Sequence, residues 1–242
     1  MQNKNTLTLP IAIIIAGIIV AGAIFFSKDK ERPIVTNKDN VPEINLVPIN
    51  NSDHILGNPN APIKIVEYSD PSCPYCRMFH NTMRQIMNEY GATGKVAWIY
   101  RHYTLDKPDA NGNILHPNAN HEAQALECAN QIGGNDKFWE YANRLYDITP
   151  SVTINSPQGL DQNQLPEIAT YINIDKNKFR ECLNSGKFKA LVDQQYLDGV
   201  NAGASGTPYS IMITSKGKMI PINGAYPFSN LKTIIDSLLN LK

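Results

Sequence analysis

Excess charge of one sign is missing from this chain. Its 22 Lys and Arg are matched by 22 Asp and Glu, scattered rather than blocked, so it lacks the basic field that neutralises phosphates and is not read as a nucleic-acid binder. Internal repeats are absent, and low complexity goes no further than an Asn-rich flavour. Cysteine is scarce: four residues, with a single Cys-x-x-Cys pair at Cys73-Pro74-Tyr75-Cys76. Structural zinc wants four ligands, as two such pairs or one pair with paired histidines. Cys128 and Cys182 stand far apart on helical segments, and His54, His80, His102, His116 and His121 show no ligand spacing. No metal and no cofactor is therefore expected, and His80, four residues after Cys76, reads as an exposed helix position. No cysteine lies near the end of the N-terminal apolar run, which excludes a thioether lipid anchor.

That apolar run is the first strong positive signal. Leu7 to Phe26 carries no charge, with Thr8 as its sole hydroxyl. Twenty helical residues span about 30 Å, the thickness of a bilayer's hydrocarbon layer. Residues 1–26 are read as a transmembrane signal-anchor; Ala21-Gly22-Ala23 keeps open the alternative of a cleaved signal and a secreted product. Lys4 precedes the run, and Lys28, Lys30 and Arg32 follow it among Asp29 and Glu31. Charge alone would place the C-terminal side in the cytoplasm, but cysteine usage favours an oxidising compartment. Residues 27–51, polar and with three prolines, read as a coil-like tether with a reach of roughly 25–30 Å. The globular domain is placed at 52–242, large enough for one core with an inserted subdomain.

Within it, Ile63 to Tyr68 is a β-branched strand signal. Asp70-Pro71-Ser72 turns the chain, and a helix should open at Cys73 with Pro74 in its first turn. Met78, Phe79, Met83, Ile86, Met87 and Tyr90 recur at helical spacing up to Gly91 and Gly94. Lys95 to Tyr103 is a second strand, so the first unit reads as a parallel β-α-β crossover. Helical patterns then fill 121–131, 136–148, 164–172, 175–184 and 188–200, an insertion over about 106–202. Strands return at 209–214 and 218–222, and 228–239 is a closing amphipathic helix. The class is α/β.

Several stretches in this order resemble the DsbA-like thiol–disulfide oxidoreductases of the thioredoxin superfamily: "HILGNPNAPIKIVEYSDPSCPYC", "YRHYTL", "HEAQALECA", "FRECLNSGKF", and "GASGTPYSIMI" followed by "INGAYP". The likeness runs from Asp53 to the C-terminus and implies a thioredoxin-like fold with a helical insertion. Cys73, at a helix N-terminus where free N–H groups favour negative charge, is read as the attacking thiol and the more exposed of the pair. Cys76, one turn in, is read as the resolving thiol of a redox-active disulfide; a purely structural bond is the alternative. The family's strong oxidants often carry His between the cysteines, whereas Pro74-Tyr75 supplies no positive charge. Pro208 is implied to be cis and to face the Cys-x-x-Cys turn, with Thr207 presenting backbone to an extended peptide; an ordinary trans proline on an edge strand is the alternative. Tyr75, Thr207 and Pro208 form the substrate-contacting set. Glu67 shares a strand face with Ile63 and Ile65 and matches the family's acidic residue six positions before the first cysteine. Buried, it could exchange a proton with Cys76; exposed, it is a solvated strand end. Cys128 and Cys182 are read as a second, structural disulfide worth about 4 kcal/mol by loop entropy, or else as two buried thiols.

The function expected is oxidation of cysteines in exported polypeptides by a tethered, extracytoplasmic enzyme, in a periplasm or on the outer face of the cell membrane. A membrane reoxidase is its implied partner. A reductase or isomerase is the nearest alternative, although 27–51 is too irregular for a dimerisation module and a monomer is expected. A tethered peptide-binding or chaperone module with a structural Cys-x-x-Cys is the alternative outside enzymology.

Overall fold

The computed structural model describes residues 44–150 and 159–240. The anchor read over 1–26 lies outside the described residues. Among the described residues no helix is long and apolar enough to cross a membrane.

Five strands form one sheet: β1 (His54–Gly57), β2 (Ile63–Ser69), β3 (Val96–His102), β4 (Tyr209–Thr214) and β5 (Met219–Asn223). Their spatial order is β1-β3-β2-β4-β5. β2 and β3 are parallel, joined across the sheet by α1 (Pro74–Ile86), and the other pairs are antiparallel. β2 is central and buried on both faces. Ile63 and Ile65 belong to one core with Trp98, Tyr100, Phe79 and Met83, whereas Val66 and Tyr68 belong to the other with Ala97, Ile99 and Ile211. This is period-2 alternation used twice.

The insertion is helical: α2 (Ala119–Ile148), α3 (Leu165–Tyr171), α4 (Lys176–Asn184) and α5 (Lys189–Asn201). The two helices expected at 121–131 and 136–148 are both present within α2, separated by a break at Gly134, whose φ of 77° and ψ of −173° are non-helical and whose φ only glycine adopts readily. A disulfide joins Cys128 on α2 to Cys182 on α4. α5 closes on the second sheet face at Gly199, where any Cβ would meet the rings of Tyr103 and Tyr68 at 2.5 and 2.9 Å. α6 (Phe228–Asn240) covers the first face through Leu231 and Ile235.

Two sequence expectations need correction. The tether drawn over 27–51 is too long at its C-terminal end. Ile44, Leu46 and Ile49 pack on the second core. Arg101, buried on β3, holds this segment: it donates to the Val47 carbonyl at 2.9 Å and bridges both Asp53 oxygens at 2.8 and 3.0 Å. A buried guanidinium needs such partners; the chain at 47–53 provides most of them, and the Tyr68 hydroxyl accepts from Nη1 at 3.2 Å. His80 is the second correction. It is fully buried, with Nε2 2.8 Å from Asn143 Oδ1 and its ring against Trp98 and Tyr146. Burial pushes its pKa down to about 4. It lies four residues after buried Cys76 and three before buried Met83, so its stripe faces inward. β1 was not anticipated as a strand; four residues ending at a glycine are too short a periodic signal.

Candidate active site

The turn between β2 and α1 carries both cysteines. Cys73 is the cap residue of α1, extended at φ −78° and ψ 124°, and Pro74 opens the helix. Both cysteines are free thiols in this structure. Cys73 is 4% exposed and Cys76 wholly buried. Opposite them, the loop entering β4 carries a cis Thr207–Pro208 peptide. The Cys73 thiol lies 3.6 Å from the Thr207 carbonyl, its acceptor when protonated. Tyr75 and Met78, on the outer side of α1, are 61% and 59% exposed.

The two thiols are pushed in opposite directions. Cys73 is lowered from 9.0 to about 6: hydrogen bonding from Cys76, with a smaller part from Thr207, favours the thiolate and outweighs burial and the Asp70 charge. Cys76 is raised well above its ordinary value, by burial first and then by its bond to Cys73 and the charges of Cys73, Asp70 and Glu67. Glu67 is fully buried on β2. Its Oε2 accepts the Trp98 indole N–H at 2.8 Å, and its Oε1 has no hydrogen-bond partner. Burial raises its pKa to about 7, against the polar groups of Ser69 and Trp98 and with the Cys73 charge adding. A carboxyl that is half protonated near neutrality thus stands close to a thiol that holds its proton tightly.

A second polar cluster underlies the turn and was not singled out from sequence. Asp70, fully buried, contacts both cysteines through its backbone: its carbonyl accepts the Cys73 N–H at 3.1 Å and its N–H points to Cys76 Sγ at 3.4 Å. Its carboxylate accepts the Ser72 and Leu105 N–H groups, each at 2.7 Å, and His116 Nδ1 at 2.9 Å. Ser72 donates its hydroxyl to buried Glu122 at 2.6 Å. Burial raises the Glu122 carboxyl to about 7 despite the Ser72 and Gln162 donors. One clue was available: Glu122 falls on the stripe of Ala119, Ala123, Leu126 and Ala129, an apolar helix face on which an acid needs a reason. His54, His102 and Glu127 form a separate buried cluster, in which both imidazoles donate to Glu127 Oε1 at 2.8 and 2.9 Å.

A family model described as thioredoxin matches residues 50–237. The chain belongs to the thioredoxin family. Within this thioredoxin chain, 140 residues are 26% identical to a Rickettsia typhi protein provisionally named a protein-disulfide oxidoreductase. That match takes in 57% of the chain but only 46% of the Rickettsia protein, so the chain spans about half the length of that relative. A stretch of a Salinispora tropica Na(+)/H(+) antiporter is 30% identical over 168 residues, 67% of this chain and 22% of the antiporter. Among solved structures, the alpha-DsbA1 protein of Wolbachia pipientis superposes with a TM-score of 0.66 at 22% identity, covering 82% of this chain and 96% of that one. This likeness supports the thioredoxin-like fold with its helical insertion.

Proposed function

We propose that this chain is a dithiol–disulfide oxidoreductase acting through Cys73 and Cys76. The observation that carries the reading is the split of the two thiols, one acidic at the helix N-terminus and one buried and basic. A substrate thiolate attacks Cys73 Sγ of the disulfide, and the Cys73–Cys76 bond breaks. Cys76 leaves as a thiolate and takes a proton from Glu67. A second substrate thiolate then displaces Cys73 from the mixed disulfide. The substrate loses two electrons to the cysteine pair, and Cys73 departs as the stable thiolate.

The direction of the reaction follows from the Cys73 shift. A folded-state pKa of about 6 against 9.0 stabilises the reduced protein, fully above pH 9 and fading as pH falls through 6. At pH 7 this is about 1–2 kcal/mol, a few tens of millivolts towards oxidising. The shift makes the pair more oxidising than an ordinary dithiol, by an amount that grows between pH 6 and 9. A redox titration against glutathione at several pH values measures this, and a pH-independent offset would remove the argument.

Thr207 and Pro208, beside Cys73, with exposed Tyr75 form the surface on which an extended substrate strand lies. The substrates proposed are cysteine-containing exported polypeptides. The domain is tethered outside the cytoplasm by residues 1–26 and reoxidised by a membrane partner; the Cys128–Cys182 disulfide suits that oxidising compartment. A Cys76→Ser variant expressed in cells should accumulate mixed disulfides on Cys73, and their identity reports client and compartment. If no adducts form and Cys73→Ser leaves biological activity intact, the chain is a peptide-binding module instead.

A further inference from the structure

A buried carboxylate next to a thiolate is an electrostatic liability, and Asp70 occupies that position. Its charge works against ionisation of Cys73, yet three donors and two backbone contacts to the cysteines tie it into the turn. Hydrogen bonds from Cys76 and Thr207 already favour the thiolate, and a cation paired with Asp70 relieves them of its opposing charge. Pro74 and Tyr75 cannot provide one. Arg77, the first basic residue of α1, directs its guanidinium to the Thr149 carbonyl at 2.7 Å. The cation-capable group bonded to the Asp70 carboxylate is His116, 4% exposed.

His116 is also held from its backbone. Its N–H donates to the Leu105 carbonyl at 2.9 Å, and its carbonyl accepts the Ala119 N–H at 3.1 Å, ahead of α2. Leu105 itself donates to Asp70. The ring is therefore fixed against the turn from three directions. The titratable groups acting on it are Asp70 from the turn after β2, Cys73 from the start of α1, and Glu122 from α2. All three are acids. Burial depresses the imidazolium, but the Asp70 hydrogen bond and charge, then Cys73 and Glu122, more than offset this and hold it above its ordinary value.

We propose that His116 is a positioning residue of the redox site: as an imidazolium paired to Asp70 it cancels the carboxylate's charge and lets Cys73 carry a negative one, filling the role of the cation absent from the Pro74-Tyr75 dipeptide. The inference rests on the oxidoreductase reading and deepens it. It carries a linkage consequence. If protonated His116 favours the Cys73 thiolate, the thiolate must favour protonated His116 by the same factor. Closing the disulfide removes the thiolate, so oxidation of the pair lowers the proton affinity of His116. Two-electron oxidation of the dithiol then releases, near neutral pH, part of the His116 proton in addition to those of the thiols.

The test begins with the wild-type full chain. His116 is titrated by NMR in the reduced and oxidised states. Its midpoint is expected to be higher in the reduced state by about half a pH unit or more, and coinciding midpoints overturn the proposal. The second arm is a double-mutant cycle read by the pH dependence of Cys73 alkylation. His116→Gln should raise the Cys73 midpoint by about one unit, a tenfold loss of thiolate on the acid side. In an Asp70→Asn background the same change should have little effect, because no carboxylate is left to cancel. An equal effect in both backgrounds, or none in either, overturns the proposal. Should His116→Gln fail to fold, the wild-type titration decides alone. If Cys73 is acidic while His116 ignores the redox state, only this inference falls; if wild-type Cys73 titrates near its ordinary value, the oxidoreductase reading falls with it.

Discussion

Glu67 shows what a single buried acid does here. Its pKa of about 7 means that it binds a proton in the folded chain where an unfolded one has lost it. A raised acid contributes most to stability below its ordinary pKa of 4.5, and that contribution is lost as pH rises from there through 7. Glu67→Gln keeps an acceptor for the Trp98 N–H and removes the ionisation. It should stabilise the protein at pH 8 by up to about 3 kcal/mol, measured by denaturant midpoint. The same variant should slow protonation of departing Cys76 and flatten the inflection near pH 7 in the rate of mixed-disulfide formation, with Cys73 alkylation little changed. If the rate profile keeps its inflection, Glu67 is not the proton donor. Glu67 was readable from strand alternation because the register of one strand fixes which face a residue occupies. Asp70, His116 and Glu122 were not, because 46 residues separate the first pair and 50 separate Ser72 from Glu122. No local period carries such a pairing, and only closure of the 103–118 loop and α2 onto the turn creates it.

At the scale of elements, two ties hold the parts around the site. Arg101 fastens residues 44–53 to β3, and its charge and fork satisfy Asp53 together with the Val47 carbonyl. Arg101→Leu leaves the Asp53 carboxylate buried without its partner, and should cost about 3–5 kcal/mol. Hydrogen exchange should also quicken in residues 44–51 before it does in β2. Unchanged protection there would show that Ile44, Leu46 and Ile49 suffice. The Cys128–Cys182 bond does the same for the insertion by linking α2 to α4. Replacing both cysteines by alanine should lower stability by up to about 4 kcal/mol while leaving the Cys73 midpoint where it was. A moved midpoint would mean that the bond also positions Glu122. The order of elements was legible because each helix has its own apolar period and stop signal. The exceptions were β1 and the docked segment before it, which is ordered by an arginine on a distant strand and by Ile44, Leu46 and Ile49 on the second core.

Across the whole molecule, acids shifted in opposite senses shape the pH response. Burial alone would raise Glu127, but the hydrogen bonds and charges of His102 and His54 hold it near 2. A depressed acid contributes stability above its ordinary pKa of 4.5 that drains away as pH falls towards 2. Glu67 and Glu122, both raised to about 7, weaken the fold as pH climbs from 4.5 to 7. His80, pushed down to about 4 by burial, costs stability as pH falls below its ordinary 6.5, and Cys73, lowered to about 6, adds stability to the reduced protein as pH rises from 6 to 9. The reduced protein should therefore lose less stability than the oxidised one between pH 6 and 9. Thermal melts of both redox states across pH check this, and parallel curves would contradict the balance. The covering of Cys73 has a further effect. With Cys73 4% exposed and its sulfur 3.6 Å from the Thr207 carbonyl, a flat, unpaired strand would fit it better than a cysteine already enclosed in a finished fold. On the proposed reading, selection becomes a matter of timing: a client would be open to attack during the short interval between emerging from a membrane and collapsing, and its folding rate, more than its sequence, would set how long the opportunity lasts.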